Sequence, residues 1–284
     1  MTSNTLETIT GNLKDAYKQI QPGTMQHVDQ LMTQRRTNPE LRSQWFYPAD
    51  GAVYSVDNGT PTLRMTREAV NPVLNNIDDA FTQLTTTHNY TVLPSDFDAV
   101  KSAADTIAID VTKLTLQGNE KEWGYLAIST TEYNTLNPEQ RKLAERVYGQ
   151  GTDFVANMQM LNDAGITETK VYVLNPEYIK EHAKNGAVAR ASWLYDFISY
   201  SFFSAYVRGI DSGSRVRGVR REGERSEPTP AGRDAKTAPV PQAPVVTPEM
   251  SPPTFNQVRE YSTRFVPDVA REQFEAGLRN LYTL

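Results

Sequence analysis

Cysteine is missing from the chain altogether. Disulfides, thiolate catalysis, iron–sulfur clusters and cysteine-ligated zinc are therefore excluded, and with them a stapled secreted scaffold or a zinc finger. No apolar run approaches the ~20 residues needed to cross a bilayer. The opening Met1-Thr-Ser-Asn-Thr-Leu-Glu has neither a basic start nor an apolar centre, so neither a membrane span nor a signal peptide is expected. The compartment stays open between cytoplasmic, virion-borne and exported by another route. Histidine is scarce: His27, His88 and His182 lie far apart with no HExxH or HxxxH spacing, and no metal or other cofactor is expected. With 29 basic against 34 acidic residues, the formal charge of −5 argues against a general nucleic-acid partner.

The 284 residues fit one or two domains of mixed α and β structure. Leu6, Ile9, Leu13, Tyr17 and Ile20 form one helical stripe, Gln26 to Arg36 suits a second helix, and Thr66 to Phe81 a third, capped by Thr66 and bent or delayed at Pro72. From Thr106 the texture turns β-rich. Ile107 to Leu116, Trp123 to Ser129 and Lys170 to Leu174 read as strands, and Phe154 to Ala164 as a helix. Asn137-Pro-Glu and Asn175-Pro-Glu each read as a helix start: an N-cap, a proline at the first position and a carboxylate complementing the dipole. Gly149-Gln-Gly-Thr lacks the lysine of a phosphate loop and reads as a helix C-cap and turn.

After Glu227, eight prolines fall among Ala, Thr and Val up to Pro253, a semi-extended linker. Residues 254–284 then carry apolar side chains at helical spacing, an amphipathic tail able to dock back or bind a partner. The expected organisation is a mostly helical region at 1–105, a domain at 106–225, the linker at 226–253 and the helical tail at 254–284.

Arg215, Arg217, Arg220, Arg221 and Arg225 cluster, but Glu222 and Glu224 interrupt them and no aromatic platform lies inside, so a solvated strand edge is expected rather than nucleic-acid contact. The stretch 194–214, Leu-Tyr-Asp-Phe-Ile-Ser-Tyr-Ser-Phe-Phe-Ser-Ala-Tyr-Val-Arg-Gly-Ile-Asp-Ser-Gly-Ser, obeys no clean period. Tyr, Ser, Gly, Asp and Phe dominate it, the palette of binding loops, where rigid rings supply contact area and small polar residues adapt. Glu, Lys, Gln and Met are absent from it. The competing reading is a buried aromatic hairpin, since Phe, Tyr, Ile and Val also favour strands.

Ala189-Arg-Ala-Ser-Trp193 before this stretch and Arg215-Val-Arg-Gly-Val-Arg-Arg221 after it resemble the closing segment of the C-type-lectin-like and formylglycine-generating-enzyme-like fold. Arg190, Ser192 and Trp193 match its RGGSW-type strand, and Gly218, Val219 and Arg220 its terminal strand. The resemblance implies an α+β, C-type-lectin-like domain, here with N-terminal helices and a helical tail after the Pro-rich linker. The catalytic branch needs cysteines and is excluded, and the Glu-Pro-Asn, Gln-Pro-Asp and Trp-Asn-Asp motifs of calcium-dependent sugar sites do not occur. Within this fold, the variable proteins of diversity-generating retroelements display residues from Asn codons randomised at adenine. Those codons yield Tyr, Ser, Asp, Phe, Ile, Val, Gly, Leu, Ala or Arg but not Glu, Lys, Gln, Met or Trp, and every residue from 194 to 214 is in the permitted set.

The resemblance implies a non-enzymatic binder with a macromolecular ligand, a protein in the first instance. Tyr195, Phe197, Tyr200, Phe202, Phe203 and Tyr206 are the expected anchors, and Asp196 and Asp211 the polar specificity points. Leu194, Ile198, Ser204, Val207, Gly209, Ile210, Ser212 and Gly213 complete the expected surface, with Trp193 as scaffold. The alternative is a structural or assembly protein, for example of a virus particle. No GxSxG elbow supports a hydrolase, which would need His182 in a cleft beside a serine and a carboxylate.

Overall fold

A computed structural model of the chain describes residues 5–118, 120–196, 202–207 and 214–221. The chain divides at residue 227/228, and every described residue belongs to the first unit. The linker, the tail and Arg225 lie outside the described residues.

In chain order the elements are β1 (Leu6–Gly11), α1 (Leu13–Lys18), α2 (Val28–Thr37), β2 (Gly51–Asp57), β3 (Thr60–Thr66), α3 (Pro72–Asn75) and α4 (Ile77–Thr87). Then come β4 (Tyr90–Val92), α5 (Pro94–Ser102), β5 (Ile107–Asp110), β6 (Trp123–Ser129), α6 (Pro138–Tyr148) and α7 (Thr152–Asp163). Last are β7 (Glu168–Leu174), α8 (Pro176–His182), β8 (Ala187–Leu194), β9 (Phe202–Val207) and β10 (Ser214–Val219). The first and last strands pair antiparallel, Leu6 against Val219 through Gly11 against Ser214, and so close the fold on itself. The main sheet runs β5-β3-β2-β8-β9-β7-β6, with β4 also on β8; β7 and β9 are parallel and its other pairs antiparallel. Phe46 bridges the two sheets, exchanging backbone bonds of 2.9 Å each way with Leu194 while the Tyr47 N–H donates to Arg215 at 2.8 Å.

Two hydrophobic cores lie on opposite faces of the central strands. Ala52 and Tyr54 of β2 join one with α2, α6 and α7, whereas Val53 joins the other with α1, α3, α4 and β10. Strand β6 shows the alternation its sequence prescribes: Leu126 and Ile128 are buried, and Trp123, Tyr125, Ala127 and Ser129 face the other way, half-buried.

The expected α2, β6, α6, β7 and α8 stand where the spacing puts them, and Asn137 and Gln140 form a capping box on α6. Gly149 caps α6 at φ 89°, as a C-cap glycine should. Other expectations need correction. Leu6 to Gly11 is a strand, because it pairs residue by residue with β10; Leu6 and Ile9 thereby fall on opposite faces, with Ile9 buried, and only Leu13–Lys18 is helical. Thr66 ends β3 instead of capping a helix. The cap is Asn71, whose side chain accepts from the Val73 N–H at 3.1 Å, so Pro72 marks a late start. Strand β5 stops at Asp110, where the side chain captures the Thr112 N–H and begins a turn. Asn175 stands at the N-cap of α8, but its side chain donates to the carbonyls of Glu120 and Trp123 instead of capping.

The expected solvated edge holds for Arg221, which is exposed, but two other arginines of the cluster are engaged. Arg217 is half-buried and donates to Gln34 Oε1 at 2.6 Å and Thr8 Oγ1 at 2.8 Å, and Arg220 pairs with Glu7 at 2.9 Å. The expected break at 105/106 does not separate two bodies either, since β2 and β3 pair with β8 and β5 beyond it. The first 105 residues are mixed, with four strands, rather than mostly helical.

Close approach makes one glycine of β10 irreplaceable. A Cβ on Gly218 would lie 2.7 Å from Ile20 Cγ2 and 3.1 Å from the Thr24 carbonyl oxygen. Gly218→Ala is expected to lower stability by about 1–3 kcal/mol through overpacking, read as a lower denaturant midpoint. An unchanged midpoint would contradict this packing of β10 against residues 20–24.

Candidate functional site

The outward-facing side of β6, β7, β9 and β8 carries one cross-strand row. Tyr125 stands opposite Tyr172, Tyr172 opposite Ser204, and Ser204 opposite Trp193. Aromatic rings extend the row at both ends. Trp123 meets Tyr172 edge-on at 5.2 Å, and Tyr125 meets Tyr172 at 5.3 Å. Trp193 stacks on the buried Tyr47 at 5.3 Å and 23°, and meets Trp45 at 5.5 Å and 76°. Tyr195 closes a triangle with Trp45 at 5.1 Å and Trp193 at 5.3 Å. All three tryptophans of the chain thus belong to a single floor. Such tilted and edge-on pairs at 4.5–7 Å are the favoured aromatic geometries, each worth roughly 0.5–1.5 kcal/mol beyond area burial.

The floor sits where β8 releases the chain toward residues 197–201. The alternation of β8 runs unbroken: Ala187, Ala189 and Ala191 join one core and Trp193 continues that face at its edge, while Ser192 is tied down by donating to the Asp50 carbonyl and the irregularity in the β8/β9 pairing falls on β9. Trp193 is consequently the one half-buried residue of β8, and Leu194 returns to the core. The indole N–H of Trp45 donates to the carboxylate of Asp196, which is only 8% exposed. Trp45 itself is 37% exposed, the most accessible tryptophan of the floor. Burial, with Tyr172 and Tyr47 alongside, pushes the Tyr195 phenol up to about 12.

Among the expected site residues, Tyr195 lies half-buried in the floor and Asp196 is buried beneath its rim. Leu194 and Phe203 are corrected: they face each other across β8 and β9 and pack inside the core, where no ligand reaches them. Ser204 belongs to the outward row by register but is 2% exposed, so it is covered rather than presented. Phe202, Tyr206 and Val207 lie on the backbone of β9. Phe197, Ile198, Tyr200, Gly209, Ile210, Asp211, Ser212 and Gly213 lie outside the described residues. Sequence reasoning missed Trp45, Trp123, Tyr125 and Tyr172 as site residues. The alternation of β6 and β7 carried the signal for three of them, while Trp45 is brought in by a bond to a partner 151 positions away.

Elsewhere the geometry is less suited to binding or chemistry. A polar cleft of about 520 Å³ lies between α2 and the α6–α7 turn, but its Arg67 is engaged by both oxygens of Asp29 at 2.8 Å and by Asp50 at 3.3 Å. His27 lies 3.5 Å from Asp50, and His182 stacks on Tyr178 and contacts its carbonyl, with no serine hydrogen-bonded to either among the described residues. No group of three His, Asp or Glu able to hold a metal occurs among the described residues. No described helix is long and apolar enough to cross a membrane.

The environment of Tyr195 is measurable. Because the folded state keeps a proton that the unfolded chain loses at the ordinary value of 10.0, Tyr195 contributes stability that is present below about pH 10 and lost as pH rises toward 12. The tyrosinate absorbance of the folded protein minus that of Tyr195→Phe should step near pH 12. A difference step near pH 10 would place the phenol in water.

No protein-family profile matches the chain, and no curated protein does. Among solved structures it is similar to one described as the accommodation of massive sequence variation in Nanoarchaeota by the C-type lectin fold, with a TM-score of 0.55 and 12% identity. The match covers 77% of this chain and 99% of that one. At that identity the likeness concerns the fold, and with the closing β1–β10 pair and the curled sheet it is decisive on that point: this chain has a C-type-lectin fold.

Proposed function

We propose that this protein is a non-enzymatic ligand-binding protein presenting a hypervariable aromatic face on its C-type-lectin-like scaffold, diversified by a retroelement. The observation that carries the reading is the floor of Trp45, Trp193 and Tyr195, partly open to solvent at the point where the chain enters a segment drawn wholly from the permitted residue set. A binding face needs rigid anchors, because ordering side chains on association costs about 0.5–1.5 kcal/mol for each rotamer-rich group. Rings locked against one another have already lost that freedom. Residues at 197–201 and 208–213 would then vary the contacts while the floor holds their bases.

One observation favours the assembly reading: Leu194, Phe203 and Ala205 are buried, so part of the aromatic stretch serves the core. Ser204 between them is covered as well, so recognition on this reading falls to the floor of Trp45, Trp193 and Tyr195 rather than to this part of β9.

Sequencing the encoding locus across a population of its source tests the proposal. The expected result is variation confined to 194–214, at adenine positions of a nearby near-copy carrying Asn codons. An invariant segment with no such copy would overturn diversified recognition and leave assembly as the better account.

A further inference from the structure

A sheet edge is a row of unpaired main-chain donors and acceptors, a template for another strand, and native proteins blunt it. Three edges of this protein are blunted by their neighbours. At β5 the Asp110 N–H donates to Glu139 at 3.1 Å and the Ala108 carbonyl accepts from Lys142 at 3.1 Å. At β6, Tyr125 and Gln117 exchange main-chain bonds of 2.8 and 2.9 Å. At β4 the Thr91 N–H donates to the Gln83 amide oxygen at 3.0 Å.

Strand β1 is different. The far side of its partner β10 is occupied, since the carbonyls of Arg215, Arg217 and Val219 accept from the Tyr47, Gln26 and Gln21 N–H groups at 2.8, 2.7 and 2.7 Å. Main-chain groups of successive strand residues point to opposite sides, so those of Ser214, Val216 and Gly218 face β1. Their register partners Gly11, Ile9 and Glu7 answer them, which directs the main-chain groups of Leu6, Thr8 and Thr10 away from the sheet. Among the described residues, no main-chain group meets these three on that side. The strand also lacks the usual safeguards: Leu6–Gly11 contains no proline, no lysine and no bulge, and the buried Ile9 anchors it to the body.

The edge is complementary to itself in one register. About a two-fold axis through Thr8, antiparallel pairing sets Thr8 against Thr8 of the partner subunit and Leu6 against the partner's Thr10, so every outward main-chain group finds its counterpart at once. The one charge of the strand, Glu7, then stands opposite the partner's Ile9 and not another carboxylate, and within its own chain it is neutralised by Arg220 at 2.9 Å. Threonine opposite threonine is a favourable cross-strand pair.

We infer that the outer edge of β1 is a homodimer interface, where two copies of this chain pair β1 to β1, antiparallel about Thr8, and continue the β1–β10 ribbon into a sheet of twice its width. The inference stands apart from the reading of the aromatic floor. Where both hold, the dimer carries two binding faces, and a ligand with repeated epitopes is held by avidity.

The chain has no cysteine, so single cysteines introduced into the full-length protein report the register. Thr8→Cys should form a disulfide-linked dimer under mild oxidation, since hydrogen-bonded antiparallel partners lie about 5.5 Å apart between Cα atoms, within disulfide reach. Thr10→Cys should cross-link at least about tenfold more slowly, because four residues of strand, roughly 13 Å, separate it from its own copy. The unsubstituted protein should show a concentration-dependent monomer–dimer equilibrium in the micromolar range by sedimentation, as befits a small interface. Thr10→Pro removes an outward donor from each copy and should raise the dimer dissociation constant about tenfold or more with an unchanged circular-dichroism spectrum. A protein that stays monomeric throughout that range, a dimer indifferent to Thr10→Pro, or equal cross-linking of the two cysteine variants would each overturn the interface. So would protection of the Thr8 and Thr10 amides from hydrogen exchange in the dilute monomer, because the chain itself would then close the edge. Should Thr10→Pro fold poorly, the two cysteine variants decide.

Discussion

A guanidinium with no exposed surface lies beneath the aromatic floor and fixes its frame. Arg190, in the middle of β8, donates to Glu122 at 2.6 Å, to Asn89 Oδ1 at 2.9 Å and to the Tyr178 hydroxyl at 3.2 Å. A buried cation without partners is prohibitively unfavourable, so these bonds must form together, and they draw the start of β6, the start of β4 and helix α8 onto one strand. Glu122 immediately precedes Trp123, and Tyr178 follows Asn175, whose amide holds the Trp123 carbonyl. The position of the far end of the aromatic floor is thereby set by an electrostatic requirement inside the sheet.

The near end is set by the backbone. Strand β8 pairs with β2, β4, β9 and, at Leu194, with Phe46, which leaves little freedom in where its last residues point. The alternation of β8 places Trp193 on the face that carries Tyr47, and the bond from Trp45 to Asp196 holds the chain as it leaves the sheet. A loop that starts from such a base can change in sequence without loosening its supports. This is how fold and proposed function connect: closure by β1 and β10, burial of Arg190 and the locked rings are supports that lie outside residues 197–201 and 208–213, while Phe203 and Ala205 of β9 belong to the core.

Much of this was legible in the sequence where the determinant is local. The alternation of Trp123 to Ser129, the Asn-Pro-Glu starts and the glycine at 149 act through neighbours a few residues away, and those elements stand as expected. The Arg190-Ala-Ser-Trp193 frame marked β8, and the Arg215 to Arg221 alternation marked β10. What failed was decided at a distance. Leu6 to Gly11 is a strand only because β10 lies beside it, Thr66 belongs to a hairpin rather than a cap, and Leu194 and Phe203 turn inward because β9 pairs on β8 with that register. The floor was half visible: Tyr195 and Asp196 stood out by composition, whereas Trp45 entered only through a contact that no local pattern announces.

The central claim is that the floor of Trp45, Trp193 and Tyr195 is open to solvent beside a strand β9 whose Phe203, Ser204 and Ala205 are packed away. Hydroxyl-radical footprinting of the full-length protein, with side-chain oxidation read residue by residue, tests it most directly. The account predicts oxidation of Trp45 and Tyr195 well above that of Phe203, which is fully buried in the core. Protection of Trp45 and Tyr195 equal to that of Phe203 would contradict it and make the floor a piece of the core.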